Sequence, residues 1–199
     1  MFSGLSAFPL TPFADGKPDE AAFLRILRRL TEAKVDSLGV LGSTGSYAWL
    51  TRAQRRRIAE RAVEHAEAIP VMICIGAINT DEVLALAEDA QQAGAAALLL
   101  PPLGYQTLKE DEVFTLFETV TRHASVPVCI YDNPGTTHFT FSDALLRRIA
   151  SLPGIGSVKI PGVPAAQSAA NDRLAQLRDI LPASCLLYTS DAADEEDSV

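Results

Sequence analysis

Short apolar runs alternate along this chain with longer segments in which apolar residues recur every three or four positions. The runs are "SAFPLTPF", "SLGVLGST", "PVMICIGA", "AALLLPP", "VPVCIYDNP" and "IGSVKIPG", and they begin 26 to 33 residues apart. That interval is the length of one strand-plus-helix unit. Near-continuous hydrophobicity, in place of strict alternation, predicts strands covered on both faces, as in a parallel sheet. Between the runs, Phe23, Ile26, Leu27 and Leu30 share one helical face, with Arg25, Arg28 and Arg29 outside it. Thr51 and Gln54 form a T-x-x-Q capping box ahead of Ile58, Ala62 and Val63. Thr80 precedes a helix that Gly94 ends. Val113, Phe114, Phe117 and Val120 mark a fourth helix, Leu145, Leu146 and Ile149 a shorter fifth, and residues 164 to 180 a sixth.

Such repeated β-α units leave two architectures, a doubly wound open sheet or a (β/α)8 barrel. An open nucleotide-binding sheet usually carries G-x-G-x-x-G after its first strand, whereas here "FPLTPFADG" stands in that place with two prolines. The expected fold class is therefore α/β, an incomplete (β/α)8 TIM barrel with about six of its eight units present. Residues 1–184 read as a partial barrel catalytic domain and residues 185–199 as a foreign or disordered acidic tail.

Composition changes this picture little. The chain has 199 residues, 48% of them hydrophobic, which suits one domain with a large core. Nothing approaches the ~18 uninterrupted apolar residues of a membrane span, and the N-terminus lacks the basic start of a signal peptide. Cys74, Cys129 and Cys185 are odd in number, and the first two lie inside apolar runs. They read as reduced core residues of a cytoplasmic protein. The formal charge of −8 argues against nucleic acid or an anionic membrane as partner, but the last fifteen residues hold five acids and no base, leaving −3 without them. His65, His123 and His138 stand apart from carboxylate or cysteine clusters, so no metal site is expected. Arg55, Arg56 and Arg57 read as a solvated helix face.

Candidate chemistry gathers where strands end, the place where barrels build active sites. Lys159 puts an ammonium inside the apolar run "IGSVKIPG". With an ordinary pKa near 10.4, about 1 lysine in 2,500 is neutral at pH 7. Desolvation raises that fraction, and a neutral amine attacks carbonyl carbons to give a Schiff base. A lysine whose head escapes at the strand end is the plain alternative. Tyr131 ends the preceding run, and neighbouring strands lie about 4.8 Å apart, so its phenol is placed to move protons for that chemistry. "GSTG", Gly42 to Gly45, permits a tight turn whose N–H groups converge on an anion, with hydroxyls from Ser43 and Thr44. A 2-oxo acid carboxylate fits such a nest.

The order G-[ST]-T-G, Y-[DN]-x-P, [IV]-K, together with the opening "FSGLSAFPLTPF" and the spacing between motifs, resembles the pyruvate-dependent class I aldolase family that includes dihydrodipicolinate synthase and N-acetylneuraminate lyase. The resemblance spans residues 1 to 180 or so. It implies a (β/α)8 barrel that joins lysine to pyruvate or a related 2-oxo acid, with an aldehyde as candidate second partner and without metal or organic cofactor. It implies Lys159 as the imine-forming residue, Tyr131 as the proton relay, Ser43 and Thr44 as carboxylate holders, and Thr44 as part of the proton path. A homo-oligomeric full-length parent is implied as well. Two departures separate this chain from dihydrodipicolinate synthases: Thr136 stands where they place an arginine, and Leu103 where they place the second of two tyrosines.

Two rival readings remain, a barrel enzyme for a sugar phosphate and a non-catalytic fragment that keeps the motifs as inheritance. The closing "CLLYTSDAADE" resembles translated adapter read-through, so a truncated reading frame is expected, whose locus continues into the missing units.

Overall fold

The computed structural model describes residues 4–189. The chain enters through β1 (Ser6–Ala7), turns through an antiparallel hairpin of β2 (Phe13–Ala14) and β3 (Lys17–Pro18), and forms α1 (Glu20–Glu32). It continues as β4 (Ser37–Val40), a 3-10 turn (Tyr47–Trp49) and α2 (Arg52–His65). Then follow β5 (Val71–Cys74), α3 (Thr80–Ala93), β6 (Ala97–Leu100), α4 (Glu110–His123) and β7 (Val128–Tyr131). The last elements are α5 (Pro134–Thr137), α6 (Asp143–Ala150), β8 (Ile155–Ile160), α7 (Gln167–Ile180) and β9 (Leu186–Thr189).

Seven strands form one sheet in the order β1-β4-β5-β6-β7-β8-β9, every neighbouring pair parallel. Strands in chain order with helical connections make this an incomplete (β/α)8 barrel. The fully apolar runs become the central strands: every residue of β4, β5, β6 and β7 is buried. The helices start where capping chemistry starts them. Asp19 caps α1 by accepting from the Ala22 N–H at 2.9 Å, and Phe23 and Leu27 on its inner face are fully buried. Thr51 and Gln54 form the reciprocal box on α2. In α3 the cap is Asn79, one residue before Thr80, and Gly94 closes the helix at φ 94°, a left-handed angle that glycine adopts without strain.

Three features differ from the sequence reading. In the first run, Pro9 and Pro12 lack the N–H a sheet ladder needs, so pairing stops after Ala7. The chain then turns at Asp15 and Gly16 (φ 51° and 73°) into the β2–β3 hairpin, the paired left-handed geometry that Asp-Gly favours. Second, Leu186–Thr189, assigned above to the tail 185–199, pair with β8 as a seventh parallel strand, Lys159 opposite Tyr188. "LLYT" is β-prone, and the outer edge of β8 offers it free backbone partners. The rest of that segment, from Ser190 on, lies outside the described residues. Third, Arg55 is buried at 5% exposure rather than solvated. It donates to the carbonyls of Cys74 and Gly76, both at 2.8 Å, tying α2 to the end of β5.

Candidate active site

Lys159 sits in β8, 7% exposed, and its Cα partner across the β7–β8 ladder is Tyr131. Paired residues share a face of the sheet, so the two side chains meet. The ammonium nitrogen stands 4.9 Å from the centre of the Tyr131 ring and 5.0 Å from that of Phe8, just past β1. Aromatic faces attract a charged amine at such distances. Cys129 lies on the same face two residues before Tyr131, but burial pushes its thiol up to about 12. It is no nucleophile at neutral pH.

The Tyr131 phenol anchors a hydrogen-bonded chain. It donates to Ser43 Oγ at 3.2 Å and receives a bond from Asn133 Nδ2 at 3.0 Å. Ser43 Oγ in turn lies 3.3 Å from Thr136 Oγ1. The ends of β4, β7 and β8 thus converge. The turn at Gly42–Gly45 is bracketed by two left-handed residues that are not glycine, Leu41 (φ 61°) and Ser46 (φ 58°). Such backbone strain persists only where surrounding structure imposes it. A Cβ at Gly45 would fall 2.8 Å from the Leu41 backbone, so the turn closes only with glycine there. Thr44 is half-buried in the same turn, but the hydroxyl that meets the phenol belongs to Ser43. His138 is exposed at the C-terminus of α5.

Sequence reasoning overlooked Asn133, Thr136 as a polar contact, and Phe8. Asn133 had a usable signal, since position i+2 at a strand end faces the same way as Tyr131. Arg55 had one too: residues 55, 58, 59 and 62 fall on one helical face, and all four are buried. Asp132 follows Tyr131, just past the end of β7. It is buried, and burial raises its carboxyl to about 6, partly opposed by the Arg173 charge. Its Oδ1 makes no hydrogen bond among the described residues. Among those residues no group of three His, Cys, Asp or Glu side chains is arranged to hold a metal ion, and no helix is long and apolar enough to cross a membrane.

Residues 1–181 match the Dihydrodipicolinate synthetase family. The chain belongs to that family. It is 33% identical over 162 residues to the 4-hydroxy-tetrahydrodipicolinate synthase of Salinibacter ruber, covering 80% of this chain and 54% of that protein. YagE of Escherichia coli K12, named as a 2-dehydro-3-deoxy-D-gluconate aldolase, is 32% identical over 152 residues, 75% of this chain and 50% of that one. The chain therefore spans about half the length of these curated relatives. Among solved structures, a dihydrodipicolinate synthase from Agrobacterium tumefaciens superposes with a TM-score of 0.88 at 42% identity, over 94% of this chain and 70% of that one. YagE solved in complex with pyruvate gives 0.80 at 27% identity, over 93% and 63%. The three motifs of the chain lie at one end of the sheet, the end where its parallel strands finish.

Proposed function

We propose that the chain carries the site of a Schiff-base-forming lyase or synthase acting on pyruvate or a related 2-oxo acid. The amine of Lys159 attacks the ketone carbon, the carbonyl oxygen leaves as water after two proton transfers, and a C=N bond joins substrate to protein. The resulting iminium withdraws electrons from the adjacent carbon, so a C–C bond there forms or breaks with an aldehyde as second partner. Tyr131 moves the protons, with Ser43 next in its hydrogen-bonded chain. Gly42, Ser43, Thr44 and Gly45 hold the carboxylate through backbone N–H groups and hydroxyls. No step of this scheme calls for a metal or an organic cofactor.

The observation that carries the reading is the direct Tyr131–Lys159 pairing, buried and joined through the phenol to Ser43. Similarity to a relative solved with pyruvate supports the substrate class. A cytoplasmic homo-oligomer is part of the same proposal. Trp49, Ile78 and Tyr105 support the oligomer, because they expose 83%, 68% and 91% of their surface on three successive loops.

Borohydride trapping tests the reading. The chain is incubated with isotope-labelled pyruvate, reduced and digested. A stable adduct on the peptide holding Lys159, lost in Lys159→Ala, is expected. Absence of an adduct with pyruvate and with a panel of other 2-oxo acids refutes it.

A further inference from the structure

The hydrogen bonds around Tyr131 give Asn133 a role that neither its motif nor the relatives' names assign. Asn133 is the N-cap of α5, where an asparagine ordinarily turns its side-chain oxygen onto the first helical N–H groups. Here it makes no such side-chain cap. Its backbone is locked instead: its carbonyl accepts from the Thr136 N–H at 3.1 Å, the Thr137 N–H at 2.9 Å and Thr137 Oγ1 at 2.9 Å. With the main chain held, the amide is free to face the phenol, and Nδ2 donates to the Tyr131 oxygen at 3.0 Å.

An amide NH2 only donates. The phenol therefore receives at its oxygen from Asn133 and sends its own hydrogen to Ser43 Oγ. If Tyr131 gives up that proton, the oxygen becomes anionic and the same amide bond becomes charge-assisted, hence stronger. Ser43 and Thr136 are hydroxyls that reorient with the proton, whereas the amide keeps one polarity.

We infer that Asn133 is a positioning residue, which aims the Tyr131 proton at Ser43 and stabilises the phenolate left behind. Its place in catalysis rests on the relay role proposed for Tyr131, but its effect on the phenol does not. The test is a titration of the 199-residue chain labelled with 13C at tyrosine Cζ, followed by NMR. Tyr131→Phe assigns the signal among the four tyrosines. Losing a bond of the charged-acceptor kind shifts a titration midpoint by about one pH unit or more. Asn133→Ala and the near-isosteric, uncharged Asn133→Leu are both expected to move Tyr131 upward by that amount, with the far-ultraviolet circular dichroism unchanged. A midpoint within about 0.3 units of the parent in whichever variant folds overturns the inference. Pyruvate trapping on the same samples separates the two ideas. An adduct that persists while the phenol does not shift sinks Asn133 alone, whereas a shifted phenol beside a parent chain that gives no adduct with pyruvate or the panel of 2-oxo acids sinks the Schiff-base reading alone.

Discussion

Phe8 and Gly39 show how a single methyl group would reach the Lys159 amine. A Cβ on Gly39 would lie 2.2 Å from Phe8 Cε1 and 2.5 Å from Cζ, so the ring has to move. That ring stands 5.0 Å from the Lys159 nitrogen. Gly39→Ala is expected to cost about 1–3 kcal/mol of stability, as overpacking usually does, and to lower the yield of trapped pyruvate several-fold. Adding Phe8→Leu should restore part of both, and urea unfolding with adduct quantitation checks this. Asp132 offers a second test, of pH dependence. Burial holds its folded pKa near 6, above the ordinary 3.8. Between those values the folded chain keeps a proton that the unfolded chain has lost, so this group's contribution to stability falls as pH rises through the window. The shift corresponds to about 3 kcal/mol. Asp132→Asn should match the parent near pH 4 and exceed it by up to that amount at pH 7. A difference that stays flat with pH counts against the assignment.

At the scale of elements, α2 is fastened to the sheet by one buried guanidinium. Arg55 donates to two carbonyls at the end of β5 and lies 5.3 Å from the Tyr47 ring centre. Burial pulls its pKa below the ordinary value, opposed by Cys74, Tyr47 and Glu82. Arg55→Ala strands the Cys74 and Gly76 carbonyls, and a loss of about 3 kcal/mol is expected from charged hydrogen bonds of this kind. Arg56→Ala on the exposed side should change stability by less than about 0.5 kcal/mol. Parallel thermal melts distinguish the two. The same helix shows what was readable beforehand. Its capping box is local chemistry between Thr51 and Gln54 and was legible, as were the apolar runs that became β4 to β8. The arginine triplet looked uniformly polar because composition hides phase: only the helical period separates Arg55 from its neighbours. The β2–β3 hairpin escaped for a related reason, since two-residue strands are too short to show alternation.

For the molecule as a whole, the decisive feature is a parallel sheet that begins at β1 and ends at β9 without those strands pairing to each other. Each presents an unpaired backbone edge among the described residues, and such edges recruit further strands. The 199-residue chain is expected to self-associate in a concentration-dependent way, seen as rising mass by light scattering. It should turn over substrate poorly even where Lys159 is trapped, because misplacing reacting groups by about 1 Å costs on the order of a hundredfold. A stable monomer with brisk turnover contradicts both. From sequence alone came the α/β repeat, the helical segments, the family resemblance and the candidate site residues, since each depends on neighbours within a few positions or on a short motif. Tertiary structure decided that the phenol meets Ser43 across 88 residues, that Asn133 turns from its helix to that phenol, and that "LLYT" joins the sheet. Those contacts arise only when distant segments are brought together, and no local period encodes which side chains will then touch.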